Sequence, residues 1–327
     1  MKRVIFDTDI GIDDAMALLF LHFAPSVTLE AITTVTGNAS VNDTTRNALY
    51  VCERFAIDTP VYRGAASPIA AALGEGFPDF VHGKNGLGDI PLTAPIKDAE
   101  RGSAAEAIVR LARTYPGELS LVAVGRLSNI ALALELCPEL PELLKEVIVM
   151  GGVFMRRNHI GNVSPVAEAN IAGDPTAADR VFTSGFTVTV VGLDVTEETC
   201  MDEAFMTALG ESGADAGRFI RDITRYYFDF YASVTGQRIC PIHDSSAVAY
   251  LLAPEHYTTE LGAVRVVTEG LAMGQTILGE HPDRYATNAW QQKPLIQVCT
   301  EVDAAAVKRL YLETLAIAGQ RPSSSLR

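Results

Sequence analysis

The chain has 327 residues, of which 48% are hydrophobic and 20% charged, so it can bury a large core and is neither disordered nor fibrous. Its net charge of −14 argues against partners with phosphate backbones or anionic lipid surfaces. No apolar run approaches the roughly 20 residues that span a bilayer, and the five scattered cysteines form no C-x-x-C pair. We therefore expect a cytoplasmic protein with reduced thiols that binds neither nucleic acid nor membrane.

Short β-branched runs alternate with helical patterns through the first 200 residues. The predicted strands and helices, in chain order, are 4–6, 13–23, 29–35, 42–55, 103–115, 119–124, 129–136, 146–150, 175–183 and 187–192. In this series 4–6, 29–35, 119–124, 146–150 and 187–192 are the strands. The alternation predicts an α/β fold, with a doubly wound, mostly parallel sheet flanked by helices.

After residue 200 the pattern changes to a helical and hairpin elaboration. It comprises a helix over 215–231, a short helix from His243 to residue 252, a hairpin across 263–278, a strand over 295–299 and a final helix over 303–318. No linker or repeat divides the chain, so we predict one domain over residues 1–318 and a polar tail over 319–327. Two long Gly-rich segments, 64–102 and 151–173, are expected to cover or build a site.

Four carboxylates stand within eight residues at the end of the first predicted strand: Asp7, Asp9, Asp13 and Asp14. Ligands of open α/β sheets bind at the carboxyl ends of strands. Repulsion among these groups would be relieved by backbone amides or by a hard divalent cation such as Ca²⁺ or Mg²⁺. Alternatively, Asp13 and Asp14 only cap the helix that begins there.

Other candidates are weaker when each is taken alone. His243 and Asp244 open a helix, where the Asp alone would serve as a cap. Residues 161–170 form a polar run that could bind a polyol or be a solvated loop, and residues 35–38 end a strand as a turn would. The Gly-rich loop 81–88 lacks the spacing of a phosphate-binding loop.

Residues 7–15 resemble the D-T-D-x-G-x-D-D-A signature of the inosine–uridine-preferring nucleoside hydrolases. Further segments follow in the order of that family: Gly37-Asn38, His82-Gly83 with 86–88, 124–129, 150–152, 161–162, 167–170, 174–175 and His243-Asp244. The resemblance spans residues 1 to about 300. It implies the nucleoside hydrolase fold and hydrolysis of the N-glycosidic bond of ribonucleosides, which yields free base and ribose.

The resemblance also implies a role for individual residues. Ca²⁺ would be held by Asp9, Asp14, Asp244 and the main-chain carbonyl of Val124. Asp9 would take a proton from a Ca²⁺-bound water that attacks the anomeric carbon, and His243 would protonate the departing base. The ribose would be bound by Asp13, Asn38, Asn162, Glu168, Asn170 and the backbone near Met150. His82, Tyr227 and Tyr231 would contact the substrate near the base, although the tyrosines have the spacing of core residues.

Two departures from the family pattern affect this transfer of roles. Arg126 replaces the usual Pro beside the carbonyl ligand, and Ala169 replaces an aromatic residue near the sugar.

A haloacid-dehalogenase-like phosphatase is an alternative function, because Asp7-Thr-Asp9 follows a strand, but Gly11 stands where that motif has Thr or Val. A non-catalytic ribose- or nucleoside-binding protein is another. The base preference stays open, and a homo-oligomer, either a dimer or a tetramer, is expected.

Overall fold

The computed structural model describes residues 1–70, 72, 76–285, 287 and 289–320. Eleven strands lie in this part of the chain. They are β1 (Lys2–Thr8), β2 (Val27–Thr34), β3 (Val61–Arg63), β4 (Leu119–Ala123), β5 (Glu146–Met150), β6 (Val188–Val191), β7 (Cys200–Asp202), β8 (Ile239–Pro241), β9 (Tyr257–Val266), β10 (Thr276–Gly279) and β11 (Ile296–Val302). β4 and β6 are buried throughout, which is typical of strands covered on both faces.

Nine of these strands form one sheet in the order β10-β9-β11-β6-β5-β4-β1-β2-β3. The seven strands from β11 to β3 run parallel, whereas β9 is antiparallel to both β10 and β11. The pairing of Thr276 with Val266 closes the predicted hairpin. The predicted doubly wound, mostly parallel α/β sheet is therefore confirmed.

Helices cover both faces of this sheet. They are α1 (Ile12–Phe23), α2 (Val41–Arg54), α3 (Asp79–His82), α4 (Ala104–Thr114), α5 (Ser128–Leu136), α6 (Leu140–Leu143), α7 (Ala169–Gly173), α8 (Pro175–Phe182), α9 (Leu193–Thr196), α10 (Glu203–Ser212), α11 (Ala214–Thr235), α12 (His243–Leu252) and α13 (Ala304–Ala316). Alternation along β1 sends Val4 and Phe6 into the core beneath α1, α2 and α10–α13, and Ile5 into the core beneath α4, α5 and α8.

The elements that the sequence did not predict are short or weakly patterned. β3, β7 and β8 have three residues each, too few to display an alternating pattern. α10 buries only Met206, Leu209 and Gly210, so its helical period is weak. A 3₁₀ helix, Ile317–Gln320, follows α13, and the remainder of the predicted polar tail lies outside the described residues. Within the described ranges, no helix combines the length and apolarity needed to cross a membrane.

The winding of the sheet reverses at β1, which pairs with β2 on one side and β4 on the other. Chain order runs outward from this point in both directions. Such a switch point is where open α/β sheets bind ligands. α12 packs against α1 and brings its amino terminus to the same edge of the sheet.

Candidate active site

The loop between β1 and α1 closes around the carboxylate of Asp14. One oxygen accepts hydrogen bonds from Thr8 Oγ1 at 2.6 Å and the Asp9 amide at 3.2 Å. The other accepts from the Gly11 amide at 2.8 Å and from Asn38 Nδ2 at 2.9 Å. Because Gly11 is the N-cap of α1, Asp14 does help to cap the helix, and it also ties the loop after β2 to the loop after β1.

Asp9 lies at the carboxyl end of β1 in a space bounded by two glycines. Its Oδ2 accepts a hydrogen bond from the Asn38 amide at 2.7 Å, whereas its buried Oδ1 has no partner among the described residues. A Cβ at Gly37 would lie 1.9 Å from Oδ2, and one at Gly125 would lie 2.6 Å from Oδ1. The two glycines thus let the backbone approach the carboxylate, and one oxygen is left free.

Asp13, Asp14 and Asp244 each offer a buried oxygen, and these three atoms lie within 4.8 Å of one another. Burial, with the charge of Asp14, raises the pKa of Asp13 to about 8, and burial raises the pKa of Asp244 well above its usual value. In the described part of the chain, no Lys or Arg nitrogen lies within 4.0 Å of these carboxylates. The group therefore needs protons or a cation, and its oxygens could hold a hard divalent metal.

Asp9 lies next to this acidic group, but its oxygens are not among the three that lie within 4.8 Å of one another. Burial and the charge of Asp14 raise the pKa of Asp9, and the charge of Arg126 opposes that rise. The Arg126 side chain packs against α7, where a Cβ on Gly173 would lie 2.4 Å from its Nε. The departure from Pro at position 126 thus adds a positive charge near the acidic residues.

α7 and the residue that caps it form a second wall. Asn170 Nδ2 donates to the carbonyl oxygens of Val124 at 2.8 Å and Met150 at 3.2 Å. Glu168, buried at the N-cap, accepts from the amides of Asn170 at 2.9 Å and Gly152 at 2.8 Å. The long segment after β5 therefore lies against the ends of both β4 and β5.

Asn162 occupies a more open place on this wall. Its side chain is exposed, and its Oδ1 accepts a hydrogen bond from the amide of Ala169 at 3.0 Å. Ala169 is also exposed, so the missing aromatic ring leaves that side of α7 uncovered. Asn162 thus supports the start of the helix that carries Asn170.

His243 begins α12 and uses both nitrogens of its ring. Nδ1 lies 2.8 Å from Thr196 Oγ1, and Nε2 lies 2.8 Å from the hydroxyl of Tyr231. Burial lowers the pKa of His243 to about 4, so the imidazole is neutral at physiological pH. A neutral imidazole donates at one nitrogen and accepts at the other, and both hydroxyls can take either part.

His82, Tyr227 and Tyr231 line the side of the site formed by α3 and α11. His82 Nδ1 accepts from the Ile12 amide at 3.2 Å, and burial, with a smaller contribution from His243, lowers the pKa of His82 to about 3. The Tyr227 hydroxyl donates to Asp13 Oδ2 at 3.3 Å. Its ring centroid lies 5.0 Å from that of Tyr231 and 5.7 Å from that of His82. Tyr227 therefore contacts the acidic group rather than serving only as core, and Tyr231 joins Tyr227 to His243.

The residues singled out in the sequence come together at the carboxyl edge of the sheet, with Asn162 at the exposed margin of this group. Sequence reasoning missed Thr196, which is fully buried at the end of α9. The position of α9 could have indicated that Thr196 lies near the site, because α9 follows β6 directly and so lies at the carboxyl edge of the same sheet. Nothing in the sequence pairs position 196 with position 243.

Comparison with known proteins shows which family the chain is similar to. The family model described as inosine-uridine preferring nucleoside hydrolase matches residues 4–309. Uridine nucleosidase 1 of Arabidopsis thaliana is 37% identical over 308 residues, which cover 94% of this chain and 90% of that protein.

Two solved structures extend the comparison to the fold. The plant nucleoside hydrolase PpNRh1 has a TM-score of 0.92 and 34% identity, with 96% of this chain and 99% of the other covered. The purine-preferring ribonucleoside hydrolase from Gardnerella vaginalis has a TM-score of 0.89 and 30% identity, with 98% and 100% covered. From its sequence, its sheet and its site, this chain belongs to the inosine-uridine preferring nucleoside hydrolases, enzymes that hydrolyse ribonucleosides.

Proposed function

We propose that the protein is a Ca²⁺-dependent nucleoside N-ribohydrolase that cleaves ribonucleosides to free base and ribose. The observation that carries this proposal is the buried, uncompensated acidic group at the switch point of the sheet, with one free oxygen on Asp9. Membership of the family supplies the reaction class.

The acidic group fits a hard cation, since its ligands are carboxylate oxygens that no basic side chain neutralises. Asp14 and Asp244 would hold the ion together with Asp9 and the main-chain carbonyl of Val124, and Asp13 would lie beside it. When bound, a divalent cation lowers the pKa of a coordinated water and attracts the hydroxyls of a sugar.

Asp9 is assigned the role of general base. The Asn38 amide fixes Oδ2 at 2.7 Å, which leaves Oδ1 as the atom that accepts a proton from the attacking water. Gly37 and Gly125 hold the carboxylate from both sides, so it needs little reorganisation to react.

The ribose would lie between the acidic residues and α7. Asp13, Asn38, Glu168 and Asn170 present oxygen or amide groups there, and Asn162 supports the same helix. Rupture of an N-glycosidic bond develops positive charge on the ribosyl ring, as in glycoside hydrolysis. Buried carboxylates already in place stabilise that charge most strongly at the transition state.

His243 is assigned the delivery of a proton to the departing base, in hydrogen bond with Tyr231. Because burial leaves the free imidazole neutral, the ring takes up this proton from solvent before the bond breaks and returns to the neutral state as the base leaves. A base that leaves as an anion is a poor leaving group, and a positioned proton donor removes that difficulty. His82 and Tyr227 complete this wall of the pocket.

We propose uridine as the preferred substrate, because the relative from Arabidopsis is a uridine nucleosidase. The Gardnerella enzyme is purine-preferring, and it is the less similar of the two. The cytoplasmic location and the dimer or tetramer expected from the sequence stay predictions.

A panel of uridine, cytidine, inosine, adenosine and guanosine, assayed for free ribose, tests the proposal. We expect uridine to give the highest kcat/KM, and we expect Asp9→Asn, purified in parallel, to lose at least 10²-fold of kcat, the contribution typical of a general base. Nucleoside binding without ribose release would favour a binding protein. Phosphate release from p-nitrophenyl phosphate, with no ribose from any nucleoside, would favour a phosphatase.

A further inference from the structure

Thr196 contacts the proposed leaving-group acid from the side opposite Tyr231. Its Oγ1 lies 2.8 Å from His243 Nδ1, while Tyr231 lies 2.8 Å from Nε2. The imidazole thus bridges two hydroxyls through its two ring nitrogens. Rotation of the ring would move both nitrogens away from these partners in a buried place, where an unpaired polar atom is unfavourable.

The helix that carries Thr196 is itself firmly held. Asp194 accepts hydrogen bonds from the amides of Phe154 at 2.8 Å and Arg156 at 2.7 Å. Directly after α9, Glu197 Oε2 lies 2.6 Å from His159 Nδ1. These anchors join α9 to the segment after β5, so the threonine hydroxyl is presented from a fixed support.

We propose that Thr196 is a positioning residue of the reaction, which orients the His243 imidazole so that Nε2 stays directed at Tyr231 and the departing base. The inference rests on the proposed function, because it assigns Thr196 to the same proton delivery. Thr196 touches neither the acidic group nor α7 in any hydrogen bond that the structure shows. Its loss should therefore affect the departure of the base and leave the ribose and the cation undisturbed.

The decisive substitution is Thr196→Val, which keeps the shape of the side chain and removes the hydroxyl. Thr196→Ser keeps the hydroxyl and should restore activity to within about threefold of wild type. Thr199→Val is the matched control, since Thr199 is also fully buried and three residues away, but its hydroxyl bonds only the carbonyl of Val195, at 3.3 Å.

Each enzyme is assayed on uridine and on p-nitrophenyl β-riboside, whose leaving group needs no proton. We expect Thr196→Val to lower kcat on uridine by about 10- to 100-fold, the range seen when a group that orients a reacting residue is lost. On p-nitrophenyl riboside it should match Thr199→Val. The KM for uridine and the calcium bound per chain should equal those of the control.

Three results would overturn the inference. They are a Thr196→Val enzyme equal to Thr199→Val on uridine, equal losses on both substrates, and a Thr196→Ser enzyme as slow as Thr196→Val. If Thr196→Val does not fold, Thr196→Ala serves in the same comparison. Failure of the proposed function looks different, because the wild-type enzyme would then release no ribose from any nucleoside.

Discussion

Gly37 and Gly125 determine where the Asp9 carboxylate can lie. A Cβ added at either position would lie closer to the carboxylate oxygens than Cβ atoms are found in proteins. A side chain at either position would therefore have to displace the carboxylate. Displacement would break the hydrogen bond from the Asn38 amide to Oδ2. The geometry of the proposed base thus depends on two residues that contribute no functional group.

We expect Gly37→Ala to lower kcat/KM on uridine by about 10²-fold or more, the loss that a misplacement of 1 Å can cause at a reacting group. Gly210→Ala is the control, because it lies in α10 and its Cβ would meet only the flexible end of Arg221 at 3.2 Å. Steady-state kinetics and thermal melting of both variants check this. A Gly37→Ala enzyme with wild-type kcat/KM would contradict the account of Asp9.

At this scale the sequence predicted the residues better than their contacts. The acidic cluster and His243-Asp244 could be singled out because their residue types are local and unusual. The contact of Thr196 with His243 could not, since the two are distant in the chain and each has an ordinary neighbourhood. The approach of Gly125 to Asp9 follows from the pairing of β4 with β1, which no local pattern reveals.

Among the elements, the segment between β5 and α7 depends most on a single side chain. The ring of His159 lies between two carboxylates, with Nδ1 2.6 Å from Glu197 and Nε2 3.0 Å from Glu198. Burial alone would lower the pKa of His159, but the hydrogen bonds and charges of Glu197 and Glu198 outweigh it and raise the pKa above its usual value. When the ring is protonated, it ties this segment to the end of α9 by two ion pairs.

A histidine whose pKa is raised in the folded state adds stability that is complete below its unfolded value, near 6.5, and is lost as the pH rises through the folded value. We expect the melting temperature of His159→Gln to fall furthest below that of wild type at about pH 6 and to approach it as the pH rises above the usual histidine pKa of about 6.5. His281→Gln, on an exposed turn, is the control variant. A difference in melting temperature between wild type and His159→Gln that stays constant with pH would contradict the ion-pair account.

The predicted elements match the structure where an amphipathic or alternating pattern is long enough to read. The 215–231 pattern, for example, falls within α11, whose buried face includes Phe219, Ile223 and Tyr227. β7 and β8 pair over only three residues, and the sheet they form arises from contacts between distant segments. Local periodicity therefore cannot predict the ends of strands and helices where packing between distant segments determines them.

For the whole molecule, the proposed cation should be a large part of the stability. A ligand bound only by the folded state adds about 4 kcal/mol when its concentration is a thousand times its Kd. Slow, complete chelation should abolish uridine hydrolysis and lower the melting temperature, and added Ca²⁺ should restore both. In Asp244→Asn we expect the chelator to change the melting temperature much less. A preparation shown to be free of metal and fully active would rule out the cation requirement.

The meeting of Asp14 with Asp244 has a consequence for the biogenesis of the enzyme, since about 230 residues separate them. The amino-terminal carboxylates leave the ribosome early and lack Asp244 until α12 has docked on α1. An ion held by both would then link distant parts of the polypeptide, much as a disulfide closes a long loop. We therefore expect a chain truncated before α12 to lack the shared ion and to release no ribose from nucleosides.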